Sequence, residues 1–201
     1  MKGTKITLFA TSICATLSIF TTSYATPSAP TGWYLEADAG QSRLSGKSYP
    51  ATTSNNSTGF AWGAALGYKF MPFFATEANY TRYADTRVAI AGVPKMATDA
   101  HYSYALAAKA ILPIATSGFE LFGKLGIARS NSNVTINNTA AASSVGLVGG
   151  SHNATGLYLA VGGQFSFIPE FAINLQAARA RGNKATGDST AYTAGIAFLF
   201  S

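Results

Sequence analysis

The chain has 201 residues, a formal net charge of +6 and one cysteine; 48% of its residues are hydrophobic and only 11% are charged. That length suits one domain with a sizeable core. The basic excess is scattered, with no basic helix, nucleic-acid motif or Cys/His cluster, so no nucleic-acid partner, metal or cofactor is expected. So little charge is sparse for a surface that meets water.

The amino terminus reads as an export signal. Lys2 and Lys5 make a basic start, Ile6 to Phe20 is an apolar and small-residue run, and Ser23-Tyr24-Ala25 fits a small-x-small cleavage site. Residues 1–25 are therefore expected to be a signal peptide and 26–201 the mature domain. Cys14 falls inside the signal, which leaves the mature chain without a disulfide. Beyond this run nothing approaches the ~18 apolar residues of a membrane helix.

From Gly32 onward the hydrophobic period is two, the signature of strands. The first predicted strand, Gly32 to Gln41, sets Trp33, Leu35, Ala37 and Ala39 against Tyr34, Glu36, Asp38 and Gly40. Ser42 to Ser57, rich in Ser, Thr and Asn, reads as a loop. The second strand, Thr58 to Phe70, alternates most cleanly: Phe60, Trp62, Ala64, Leu66, Tyr68 and Phe70 oppose small residues and Lys69. Met71-Pro72 turns the chain into a third strand ending near Tyr83, with Phe74, Thr76, Ala78 and Tyr80 opposite Glu77, Asn79 and Thr81. Ala84 to Thr98 reads as a second loop.

The fourth strand, Asp99 to Ala110, opposes Tyr102, Tyr104, Leu106 and Ala108 to His101, Ser103 and Lys109. After a connection with Pro113 and Gly118, the fifth, Phe119 to Arg129, opposes Leu121, Leu125 and Ile127 to Glu120, Phe122 and Lys124. Ser130 to Asn153 reads as the longest loop. The sixth strand, Ala154 to Phe165, turns at Pro169 into a seventh from Phe171, and Gly182 to Asp188 precedes the last. That strand carries Tyr192, Ala194, Ile196, Phe198 and Phe200 on one face, with mostly small residues between them.

Eight strands of about nine to twelve residues are an even number, each able to cross a bilayer when tilted. Long polar connections alternate with short ones containing Pro72, Pro113 or Pro169. The closing strand resembles that of a bacterial outer-membrane β-barrel, with Tyr192, Ile196, Phe198 and Phe200 matching the signal that the barrel-assembly machinery reads; Ser201 after the Phe departs from it. The whole mature chain resembles the OmpA/OmpX-type eight-stranded family. The resemblance implies an all-β, antiparallel, up-and-down transmembrane barrel in the outer membrane of a Gram-negative cell.

A lipocalin-like soluble barrel has the same alternation with its apolar face inward. Two features separate them. The less apolar face is mostly Gly, Ala and Ser, which suits a narrow filled lumen and makes a poor solvent face. Aromatic residues gather at strand ends, Trp33, Phe70, Phe73, Phe74, Phe119, Phe165, Phe171 and Phe200 near the short turns and Phe60, Trp62, Tyr80, Tyr83, Tyr102 and Tyr192 near the long loops. Two girdles belong at membrane interfaces.

The inward charges Glu36, Asp38, Glu77, Glu120, Lys69, Lys109 and Lys124 are expected to neutralise one another as a plug, against the alternative of an ion gate or minor porin-like channel. Pairing through the Pro113 turn would put Lys109 almost opposite Glu120 and let Lys124 reach toward Glu77. His101-Tyr102-Ser103 resembles the His-x-Ser of PagL-type lipid A deacylases, which would make His101 the base and Ser103 the nucleophile. The alternation points both into the lumen, and the family's downstream Glu is replaced by Ala115; a non-enzyme is expected. Arg43, Lys47, Arg87, Lys95, Arg129, Arg181 and Lys184 lie in or beside the long connections. They suit anionic partners, either lipopolysaccharide and outer-membrane lipid around the barrel or host-surface ligands met in adhesion.

Overall fold

The computed structural model describes residues 31–50, 53–114 and 117–200. The expected signal peptide, Ala115 and Ser201 lie outside the described residues. The elements are β1 (Gly32–Ser45), β2 (Ser54–Asn56), β3 (Thr58–Met71), β4 (Phe74–Arg82), β5 (Thr86–Ile90), β6 (Val93–Ile114), β7 (Phe119–Ile136), α1 (Thr139–Ser144), β8 (Gly150–Ile168), β9 (Phe171–Ala180) and β10 (Asp188–Phe200).

Eight of these strands close into an antiparallel ring in the order β1, β3, β4, β6, β7, β8, β9, β10, and β10 pairs back onto β1. Stepping from Arg43 across each partner in turn, through Thr190, Arg179, Leu159, Leu125, Ala108, Thr76 and Tyr68, returns to β1 at Trp33, ten residues away. A stagger of that size in an eight-stranded ring tilts the strands by roughly 35–45° to its axis.

The expected inside-out polarity is present. Along β1 the even residues Tyr34, Glu36 and Ser42 are buried while Trp33 and Leu35 are half exposed. The lumen is filled by pairing large side chains with glycines. A Cβ on Gly67 would fall 2.2 Å from the Tyr34 ring, and one on Gly162 2.5 Å from that of Phe122. The small inward residues are thus the space that the large ones occupy. Outside, Leu35, Leu66, Leu106, Leu125, Ile127, Val161 and Leu175 form an exposed apolar band. Such a band meets hydrocarbon, because an apolar surface this extensive is not left in water.

The start of β1, the end of β10 and the short turns share one end of the ring. At the other end β6, β7 and β8 rise above it, and β5 and β2 add to the edge of β6. The long connections are therefore more ordered than expected: Ala84 to Thr98 is largely the β5–β6 hairpin, and Ser130 to Asn153 contains the tops of β7 and β8 with α1 between them. Asn138 caps α1 by accepting a hydrogen bond from the Ala141 amide at 3.0 Å. Val88, Met96, Ala97, Val134 and Ala142 form a core of their own beneath this cap. Tyr83, expected in the girdle, turns inward and hydrogen-bonds Ser103 at 2.9 Å.

Candidate functional site

The lumen holds two ionic groups in its barrel portion. In the larger, Lys124 Nζ lies 2.6 Å from Glu77 and 3.1 Å from Glu36, and Lys109 Nζ lies 3.3 Å from Glu36 and 3.7 Å from Glu77. Two lysines and two glutamates therefore neutralise each other in a closed square, all of it buried. Tyr34 donates to Glu77 at 2.8 Å, and Lys109 sits 4.5 Å above the Phe122 ring. Strand parity puts these side chains inside, and the register brings them level. In the smaller group Lys69 faces Glu120 at 3.6 Å, and Gln164 donates to Glu120 at 2.6 Å.

This arrangement corrects the expected register. Lys109 is opposite Lys124, and Glu120 is opposite Pro113. The strand runs through Pro113 to Ile114, so the turn closes later than the proline suggested, around Gly118 at φ 73°. Lys124 does reach Glu77, while the partner of Glu120 is Lys69. Asp38 stands apart beside Gly63, with no ion pair among the described residues.

A third group lies at the long-loop end. Asp99 is fully buried and accepts hydrogen bonds from Ser132 at 2.7 Å, from Tyr49 at 2.8 Å and from Lys47. His101 Nε2 lies 3.2 Å away. Burial alone would raise the Asp99 carboxyl, but His101, Lys47 and Ser132 outweigh it and hold it well below the carboxylate range. The Tyr49 phenol is pushed well above its usual value by burial and by this carboxylate. Lys47, expected on the outer rim, is thus withdrawn into the cap: the connection after β1 folds over the barrel mouth and its cation is used there.

His101 and Ser103 both point inward and are buried. Their partners are Asp99 and Tyr83, and no hydrogen bond joins the imidazole to the serine among the described residues.

Of the other expected rim cations, Arg43, Arg87, Lys95, Arg129, Arg181 and Lys184 are exposed. Because Lys47 and Asp99 cancel each other, the exposed excess of positive charge survives this correction. Two further arginines stand on the same level. Arg82 ends β4 and Arg179 lies near the end of β9, both on the outward parity of Tyr80 and Leu175. Together Arg43, Arg82, Arg129 and Arg179 place one outward arginine on every second strand of the ring, β1, β4, β7 and β9. Correcting the register for tilt puts them within a band roughly two to three residues deep. Strand parity carried to the strand ends would have revealed the set. Trp62 and Tyr102 flank Arg82 in register, and Tyr104 is opposite Arg129. Arg82 pairs with Asp85 and Arg179 with Asp188, at 2.6 and 2.7 Å. On β10, Tyr192, Ile196, Phe198 and Phe200 all face outward and are exposed.

The family model described as outer membrane protein beta-barrel domain matches residues 12–200. No curated protein matches the chain by sequence. Among solved structures, Neisserial surface protein A is similar with a TM-score of 0.60 and 16% identity, over 84% of this chain and 97% of its own. The outer membrane protein OprG of Pseudomonas aeruginosa follows with a TM-score of 0.58 and 14% identity, over 87% of this chain and 99% of its own. Ail, the attachment invasion locus protein of Yersinia pestis, solved with the heparin analogue sucrose octasulfate, gives a TM-score of 0.56 and 16% identity, over 85% of this chain and 99% of its own. At these identities the likeness is one of fold.

Proposed function

Since the chain belongs to the outer membrane protein beta-barrel domain family, and so to the bacterial outer membrane, we propose that it is a plugged, non-enzymatic barrel that carries a folded, positively charged cap for contact with anionic surfaces. The observation that carries this is the contrast between the two ends of its polar residues. Inside, the lysines are buried and each is neutralised by a glutamate, with Asp38 alone left over; at the long-loop end, Arg43, Arg87, Lys95, Arg129, Arg181 and Lys184 are exposed. Charges spent on each other cannot select an ion, whereas exposed cations on a rigid frame attract phosphate or sulfate. Ail is similar in fold and binds a sulfated heparin analogue, which supports sulfated glycans on a host cell as one such surface. Lipopolysaccharide phosphates around the barrel are the other. The same reading gives the outward row Tyr192, Ile196, Phe198 and Phe200 to recognition by the barrel-assembly machinery.

Binding of the refolded barrel to immobilised heparin tests the adhesive part. Wild type is expected to bind and to be released as salt rises; Arg87→Gln with Lys95→Gln should weaken binding and flatten its salt dependence. Equal retention of wild type and double variant would sink it. Planar-bilayer recordings test the plug: no steady conductance is expected, and large stable channels would favour a porin role instead.

A further inference from the structure

The outer wall is not uniformly filled. Across β1, β3, β4, β6 and β7 one outward row reads Leu35, Leu66, Ala78, Leu106, Ile127. The row above it includes Ala64, Tyr80, Tyr104 and Arg129. Ala64 and Ala78 are gaps where their neighbours carry leucine or tyrosine, and between the rows lies a groove of ≈ 640 Å³. Its exposed walls are almost wholly hydrocarbon, although Asn79 lies between the rows, and Arg129 and Thr155 line its upper end. Arg129 is exposed and has no ion-pair partner among the described residues, unlike Arg82 and Arg179.

We propose that this groove holds one acyl chain of a phosphorylated glycolipid of the outer leaflet, the lipid A part of lipopolysaccharide, with a phosphate of that lipid on Arg129. Several observations fix the occupant. Successive outward rows on a strand stand about 7 Å apart, which admits a single hydrocarbon chain and not a helix about 10 Å wide. The cation stands at the long-loop end, where outer-leaflet headgroups lie, so an inner-leaflet lipid would present its phosphate at the wrong end. An unpaired guanidinium beside an apolar slot matches a lipid that offers both a chain and a phosphate. The inference deepens the lipid-contact reading of Arg129 and does not depend on adhesion.

Native mass spectrometry of the whole barrel, released from detergent with added bisphosphorylated lipid A, tests it. One lipid should remain bound to wild type. Ala78→Leu, which fills the groove from a lipid-facing position, and Arg129→Gln, which removes the charge, should each weaken retention roughly tenfold. Dephosphorylated lipid A should bind wild type as weakly as the bisphosphorylated lipid binds Arg129→Gln, and Ala110→Leu elsewhere on the wall should change nothing. Gel mobility before and after boiling confirms that each variant is folded, and Ala64→Val replaces Ala78→Leu if that one fails to fold. Wild-type retention by the folded groove-filling variant would reduce the site to a general lipid shell and overturn the proposal. Equal competition by phosphatidylglycerol would overturn the choice of lipid. Heparin binding should be unaffected by the groove-filling variants Ala78→Leu and Ala64→Val, which keep every rim cation, so failure here and failure of the adhesive reading are told apart.

Discussion

Lys124 is tied into the lumen from two sides. It is fully buried and bridges Glu36 and Glu77. Lys124→Met leaves two buried carboxylates with Lys109 alone, and removing one member of such a set costs about 3–5 kcal/mol. Urea unfolding in lipid vesicles should show that loss, and adding Glu36→Gln should restore part of it. Charge reversal discriminates the two possible partners of Glu120. Lys69→Glu combined with Glu120→Lys should recover stability relative to the single variants, because these two face each other. Lys109→Glu with Glu120→Lys should recover none, because Lys109 answers to Glu36 and Glu77. At the cap, the Asp99 carboxyl is depressed in the folded state. Its stabilisation is therefore complete above the ordinary carboxylate range, about pH 4, and disappears as pH falls through the lower folded value. Limited proteolysis should find the cap acid-labile only below that range. Asp99→Asn should make it labile at neutral pH and abolish the acid transition; a protected cap in that variant would dissociate Asp99 from the seal.

Strands are the level at which the sequence spoke most plainly. In the wall, outward positions are mostly apolar and inward ones mostly small or polar, with a few large rings such as Tyr34 and Phe122 filling the lumen, so the period of two is sustained over ten or more residues. Phe60 to Phe70 shows it at once. The cap strands gave no such signal: β5 has only five residues, and its Val88 points to a core too small to impose a long pattern. The upper part of β7, Ser130 to Ile136, looked like loop because its outward residues are Asn and Thr. Register was equally hidden, since Pro113 marks a strand end in sequence yet lies within β6. Lys47 could not be separated from the rim cations because its partner, Asp99, is distant in the chain. The wall reading also predicts depth. Val161→Arg, on the exposed face of β8 well below the arginine band, should cost about 2–4 kcal/mol in vesicles, and Thr155→Arg near the upper boundary about 0–1. Equal costs would mean that the band does not span the bilayer as described.

At the scale of the molecule, closure matters more than any contact. With β6 joined to β7 and β10 to β1, every strand of the ring has two neighbours, which satisfies the backbone where lipid offers no hydrogen bonds. Unheated samples in dodecyl sulfate should therefore migrate differently from boiled ones, and identical mobility would show an open or unfolded wall. Closure also explains why loop deletion is a poor test of adhesion. Removing residues 131–150 would take Val134 and Ala142 out of the cap core, so a loss of binding would report unfolding as readily as a lost site. Charge variants on the rim leave that core intact.

The seam between β1 and β10 has a consequence in time. Every other junction of the ring joins strands that are consecutive around it and near in sequence, so hairpins can form as soon as their second strand is available. The seam alone joins opposite ends of the domain, Trp33 to Phe200 and Ser45 to Asp188. Its pairing must wait for the thirteen residues of β10, and it carries the largest loop-closure cost. Until then the chain has two unpaired edges and an apolar face with no bilayer to meet it. A ribosome-tethered chain ending before Asp188 should remain sensitive to protease throughout, whereas one extended past Ser201 becomes resistant in a single late step when lipid is supplied. Gradual acquisition of resistance, strand by strand, would mean that the wall is stable before it is sealed.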